Sequence, residues 1–102
     1  MIVLPAEIDV TNSDQVGAEL MQALDGSAVM LVVDMTETVF CDSSGIQILL
    51  RAHRQATAAG TELRLATSNP AVRRVLELTG TDRVIDMYPD LSTAMNRMTE
   101  TG

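Results

Sequence analysis

Aromatic side chains are nearly missing from this sequence: Phe40 and Tyr88 are the only two, and there is no tryptophan. The core must therefore be filled by Val, Ile, Leu, Met and Ala, and a small-molecule sensor site, which wants aromatic or convergent polar anchors, is disfavoured. Positive charge is scarce as well. Every basic residue is an arginine, seven in all against 14 acidic residues, for a formal charge of −7. Such a chain is repelled by a phosphate backbone, since even non-specific nucleic-acid binding depends on cations that neutralise phosphates. It also lacks the basic face of a protein that binds anionic membranes. Cys41 is the sole cysteine, which excludes an intrachain disulfide and a cysteine metal cluster. No apolar run reaches membrane-spanning length, and Met-Ile-Val-Leu-Pro at the start lacks the basic and long apolar regions of a signal peptide. A soluble cytoplasmic protein is expected, without cofactor or metal.

What is present suits one α/β domain over residues 1–102. Nearly half of the residues are apolar, at 46%, so the core needs no metal or disulfide staple. Apolar β-rich runs alternate with helical periodicity. Ile2 to Ile8 reads as a strand ending at Asp9. Asn12-Ser13-Asp14-Gln15 reads as a helix cap, followed by the stripe Val16, Leu20 and Leu24 and a stop at Gly26. The continuous run Ala28 to Val33 has the character of a central strand covered on both faces, and Val39-Phe40-Cys41 continues or extends it after a polar turn. A helix with Ile46, Leu49, Leu50, His53 and Ala56 on one face runs to Gly60. Leu63 to Ala66 is the next strand, and Ser68-Asn69-Pro70 opens a third helix that ends at Gly80. Val84-Ile85 is expected as a short strand, and Asp90 caps a last helix with Leu91, Ala94, Met95 and Met98. The alternation implies a largely parallel sheet with about four helices, whose ligands and partners meet the carboxyl ends of the strands. Asp9, Cys41-Asp42-Ser43 and Thr67-Ser68-Asn69 would then share one rim.

The most informative stretch is Val39-Phe40-Cys41-Asp42-Ser43-Ser44-Gly45. An apolar run ends in Asp-Ser-Ser where a helix begins, so two hydroxyls and a carboxylate stand at a helix N-terminus, which favours anions. Ser43 there is either a cap and nothing more, or a phosphoryl acceptor. Phosphorylation would add about −1.5 to −2 charges beside Asp42, and its main effect would fall on whatever docks over the rim. Local physics leaves the two readings open.

Other chemistry is poorly supported. Ser43, Asp42 and His53 do not make a hydrolase triad, because His53 is ten residues beyond Ser43, roughly 15 Å by helical rise. No Gly-x-Ser-x-Gly elbow, nucleotide-binding glycine loop, EF-hand pattern or His/Cys cluster occurs. No catalytic residue is assigned, and Cys41 and His53 read as packing residues.

Three segments in register resemble the anti-sigma factor antagonists, which are STAS-domain proteins of bacterial partner-switching systems. They are Leu31-Val32-Val33-Asp34, Val39 through Ile46 with its Asp-Ser-Ser-Gly, and Ser68 through Gly80; Ala6-Glu7-Ile8-Asp9 joins them, so the similarity covers most of the chain. The resemblance implies a STAS-like single domain and a mechanism. The unphosphorylated antagonist binds an anti-sigma factor that is also a serine kinase, which frees a sigma factor. The kinase then phosphorylates the first serine of the motif, here Ser43, and the antagonist is released; a metal-dependent serine phosphatase resets it. Asp42 matches the acidic neighbour of the acceptor and Asp9 the acidic residue of the first-strand loop. The expected partner-binding set is Asp9, Asp42, Ser43, Ser44, Gly45, Ser68 and Asn69.

The chain departs from the family's pattern at three places. It starts near the family's second strand, so the first edge strand is expected to be missing, and an uncovered edge can pair with a second copy in a homodimer. Ala6, with Pro5 before it, stands where a glycine is common, and Gln47 where another is frequent. A different role, as a STAS accessory subunit of a membrane lipid or anion transporter, has no need of an intact acceptor motif.

Overall fold

The computed structural model describes residues 1–24 and 29–96 of the chain. Four parallel strands form the main sheet in the order β1 (Ile2–Val3), β3 (Met30–Asp34), β5 (Glu62–Ala66) and β6 (Asp86–Tyr88). A separate parallel ladder joins β2 (Glu7–Ile8) to β4 (Phe40–Cys41), with Ile8 opposite Cys41. The helices are α1 (Ser13–Ala23), α2 (Ser43–Ala59), α3 (Pro70–Leu78) and α4 (Leu91–Met95), with a 3-10 turn at Thr81–Arg83. The α/β class, the mostly parallel sheet and the four helices agree with the sequence reading, and β1 pairs on one side only among the described residues.

Alternation along the central strands divides the core into two layers. Leu31 and Val33 of β3 and Leu63 and Leu65 of β5 point to the side covered by α1, α2 and α3, where they meet Val16, Leu20, Leu49, Ala52, Val72 and Leu76. Val32 and Ala66 point to the opposite side, under Ala94 and Leu91 of α4. Burial on both faces is why β3 reads as an unbroken apolar run. Each helix that follows a strand is stopped or started by local chemistry. Gly60 and Gly80 adopt left-handed backbone with φ of 75° and 78°, which glycine tolerates without steric cost. Asn69 and Asp90 cap α3 and α4 by accepting backbone N–H bonds.

Arg64 also points to the α4 side, and it is fully buried. Its Nε donates to Glu62 at 2.7 Å, its Nη1 to the carbonyls of Ala94 at 3.0 Å and Asn96 at 3.3 Å, and the guanidinium lies 5.3 Å from the centre of the Tyr88 ring. A charged, planar donor set is therefore what clamps the last helix to the sheet.

Four details differ from the sequence reading. Ile2 to Ile8 is two strands, not one: Pro5 lacks an N–H and the chain breaks there, so that Glu7–Ile8 leaves the main sheet. Phe40–Cys41 does not continue β3 but pairs with that departed segment; Thr38, fully buried, fixes the junction by donating its hydroxyl to the Pro5 carbonyl at 2.8 Å. The last strand begins at Asp86, after Val84-Ile85, because Val84 and Ile85 are taken into the turn by N–H bonds to the Thr81 carbonyl. Asn12 stands before α1 without capping it through its side chain. The expected stop at Gly26, the start of the β3 run at Ala28 and the contribution of Met98 lie outside the described residues.

Candidate functional site

The β2–β4 ladder is the platform of the site. Because Ile8 lies opposite Cys41 in parallel register, the residues that follow them, Asp9 and Asp42, leave the same end of the ladder side by side. The Asp42 N–H donates to the Ile8 carbonyl at 3.1 Å and the Asp42 carbonyl accepts from Ile46 at 3.1 Å, so its backbone is tied to the neighbouring strand β2 and to the helix after it.

Asp42 is the N-cap of α2. Its Oδ1 accepts the Ser44 N–H at 2.9 Å, the Gly45 N–H at 3.3 Å and the Ser44 hydroxyl at 2.5 Å. These bonds answer donors that a helix start leaves unpaired. The Asp42 carboxyl is held below the ordinary carboxylate range, foremost by the Ser44 hydroxyl; desolvation opposes this, and the N–H groups of Gly45, Ser44 and Val10 add to it. Ser43 is the first residue of the helix and is exposed, and its hydroxyl bonds to no other described residue. Ser44 is half-buried, and its hydroxyl is already committed to Asp42.

Gly45 is buried rather than displayed. A Cβ at this position would lie 2.6 Å from Cys41 Sγ and 2.9 Å from Ile8 Cγ2. The missing side chain lets the first turn of α2 sit directly on the ladder, which sets the height of Ser43 above it. Cys41 is buried beneath that turn, and burial, with a smaller contribution from Asp42, pushes its thiol up to about 11. It is a packing residue, as its place in an apolar run suggests. His53 is half-buried on the same helix.

Asp9 belongs to the loop before α1. Its carboxylate accepts the Thr11 N–H at 2.9 Å and the Thr11 hydroxyl. Asn12 closes that loop from within: its Oδ1 accepts the Asp9 N–H at 3.0 Å and its Nδ2 donates to the Glu7 carbonyl at 2.7 Å. Between them Val10 stands 76% exposed, with its backbone turned to Asp42. Ser68 and Asn69 open α3, which packs on β4; Val39, Phe40 and Cys41 with Ala71, Val72 and Val75 line a cavity of about 80 Å³ there. Asn69 Oδ1 accepts the Ala71 and Val72 N–H groups at 2.9 and 3.2 Å, the same cap that Asp42 gives α2. No hydrogen bond joins Ser68 or Asn69 to Asp9, Asp42 or Ser43 among the described residues. The structure thus places Asp9, Asp42, Ser43, Ser44 and Gly45 at one end of the β2–β4 ladder, and Ser68 and Asn69 before the next helix, α3.

Sequence reasoning missed Val10, exposed Phe40 and the loop-closing role of Asn12. For Asn12 the signal was its spacing, three residues after Asp9, which suits a side chain folding back on a turn as well as one capping a helix.

Set against known proteins, the chain matches the STAS domain model over residues 1–94. It belongs to the STAS domain family. The anti-sigma F factor antagonist of Paenibacillus polymyxa is 26% identical over 101 residues, which span 98% of this chain and 84% of that protein. Among solved structures, an anti-sigma factor antagonist from Mycobacterium paratuberculosis superposes with a TM-score of 0.83 at 26% identity, covering 91% of this chain and 79% of that one. The antagonist SpoIIAA in its unphosphorylated form shares the fold, with a TM-score of 0.77 at 22% identity over 96% of this STAS domain and 85% of that chain. Among the described residues no helix of the domain is long and apolar enough to cross a membrane.

Proposed function

We propose that this STAS domain is an anti-sigma factor antagonist of the bacterial cytoplasm, a non-enzymatic switch thrown by phosphorylation of Ser43. The observation that carries the reading is the state of that side chain: an exposed hydroxyl with no hydrogen bond among the described residues, at the first position of a helix, beside Asp42 and near the Asp9 loop. The names of the relatives support the partner class. In the unphosphorylated form the rim of Asp9, Asp42, Ser43 and Ser44, with Ser68 and Asn69 at its margin and Gly45 beneath it, binds an anti-sigma factor that is a serine kinase, and a sigma factor is freed.

In the kinase step Ser43 Oγ forms a bond to the γ-phosphorus of ATP. The bond from that phosphorus to its bridging oxygen breaks, ADP leaves, and the hydroxyl proton passes to a base of the kinase. Phosphate adds about −1.5 to −2 charges to a rim that is already acidic, and the docked partner is lost through repulsion and desolvation. A metal-dependent serine phosphatase restores the hydroxyl.

The test is labelling and binding together. Incubation with ATP and a soluble extract of the source cells should place phosphate on Ser43; Ser43→Ala should abolish labelling and Ser44→Ala should leave it at Ser43. Ser43→Asp should weaken binding to the purified anti-sigma factor at least tenfold, about 1.4 kcal/mol. Phosphate confined to Ser44 or to a threonine, or an unchanged dissociation constant for a folded Ser43→Asp protein, would reject the proposal.

A further inference from the structure

Two serines stand next to each other at the start of α2, and both are close enough to the surface for a kinase to choose wrongly. We propose that Asp42 is the positioning residue that makes the choice, by holding the Ser44 hydroxyl inside the first helical turn and leaving the Ser43 hydroxyl as the free one of the two. This rests on the reading of Ser43 given above and concerns how that site is made selective.

The geometry separates the two hydroxyls sharply. Ser44 Oγ donates to Asp42 Oδ1 at 2.5 Å, and the same oxygen accepts the Ser44 N–H at 2.9 Å. Main chain and side chain of Ser44 are thus bound to one atom, which fixes the rotamer. The residue also lines the groove between α1 and α2, with Ser13, Asp14, Gln47 and Arg51. To attack a phosphorus atom, Ser44 Oγ would have to leave its carboxylate and swing out of that groove. A bond to an ionised acceptor is about twice as strong as one between neutral groups, so the escape is costly. Among the described residues Ser43 has no such tie.

A carboxylate bonded to a hydroxyl can instead act as its base and make it more nucleophilic. Asp42 is ill suited to that part. Its oxygen is already an acceptor for two backbone N–H groups, and its carboxyl lies below the usual range, so it holds the hydroxyl proton without readily taking it. The transfer itself is the one described for Ser43: oxygen–phosphorus bond made, bridging bond of the nucleoside triphosphate broken, nucleoside diphosphate released, proton to the kinase. Asp42 decides which oxygen is free to enter it.

The molecule supplies its own control substitution. Asn69 caps α3 through two backbone N–H groups just as Asp42 caps α2, so Asp42→Asn keeps a competent cap while removing the charge that holds Ser44. Wild-type, Asp42→Asn and Asp42→Ala proteins should be incubated with ATP and the soluble extract, and the ratio of phospho-Ser44 to phospho-Ser43 read by peptide fragmentation in a mass spectrometer. The ratio should rise at least tenfold in Asp42→Ala, with Asp42→Asn between it and wild type. In a Ser43→Ala background, labelling of Ser44 should be absent with Asp42 and present with Asn. A ratio that stays at the wild-type value while Ser43 is labelled overturns the selective role and leaves the function standing. Loss of all labelling in folded Asp42→Asn also overturns it, since Asp42 would then be a contact the kinase needs. A wild-type protein labelled on neither serine removes both proposals.

Discussion

Replacing Gly45 by alanine measures how closely α2 must approach the ladder beneath it. The added Cβ would stand 2.6 Å from Cys41 Sγ, 2.9 Å from Ile8 Cγ2 and 3.4 Å from Ile8 Cβ. In an open helix the change would help by ~1 kcal/mol, through helix propensity. Here the neighbours cannot yield. Ile8 is β-branched, stiff about χ1 and fully buried in its strand, and its Cβ is fixed to the main chain. Relief must come from lifting the first turn of α2, which strains the Asp42 cap. Overpacking of this kind costs about 1–3 kcal/mol, and with two atoms inside 3.0 Å the upper part of that range applies. The net expectation is a loss of roughly 1–2 kcal/mol after the propensity gain, read from urea unfolding with an unchanged m-value. Cys41→Ala removes the nearest atom, so the double variant Cys41→Ala/Gly45→Ala should show a favourable coupling of about 1 kcal/mol in a mutant cycle. A Gly45→Ala protein as stable as wild type, or additive single changes, would refute the close-packing argument.

Three further outcomes are expected. Arg64→Ala should cost about 2–4 kcal/mol, because it strips a charged donor from the Ala94 and Asn96 carbonyls at the α4 end and leaves a void; amide exchange should rise most across Leu91–Met95, and uniform exchange across the domain would count against a clamp. The Asp42 carboxyl is lowered by the fold, so its contribution is fully present above about pH 4, the ordinary aspartate value, and is lost as pH falls through the lower folded value. The difference in melting temperature between wild type and Asp42→Asn should therefore shrink on acidification, and a gap that ignores pH would contradict the cap. At the β1 edge, exposed Met1 and Val3 favour weak self-association that Pro5 limits; sedimentation equilibrium at micromolar loading should show a concentration-dependent dimer, and one species of single-chain mass throughout would dismiss it.

The parts that were legible in the sequence are those whose cause is local. Asp42 before Ser43-Ser44, Asn69 before Pro70, Gly60 and Gly80 are each decided by a few neighbouring atoms, and all four mark helix ends in the structure. What escaped depends on distant partners. Arg64 reads as a polar interruption of Leu63 and Leu65, because the carbonyls it serves belong to residues 30 and 32 positions later. Strands of two residues carry too little alternation to reveal a partner, so Phe40–Cys41 looked like more of β3 until the Pro5 break sent Glu7–Ile8 to meet it. Within the site, the exposure of Ser43 and the engagement of Ser44 are invisible in a string where both letters are the same.

The break at Pro5 has a consequence for how such a surface can change over time. Asp9 and Asp42–Ser43 are mounted on a ladder of two residue pairs, joined to the main sheet by the short Leu4–Ala6 link and pinned by Thr38 at one carbonyl. The long central strands, whose Leu31, Val32, Val33, Leu63, Leu65 and Ala66 are all buried, carry none of these side chains. Substitutions at Val10, Phe40 or Glu7, all exposed, can therefore alter which partner fits while the central strands stay as they are. Paralogous copies of such a domain within one cell could diverge in recognition along this small outrigger, each keeping the same folded body and the same exposed serine at the start of α2.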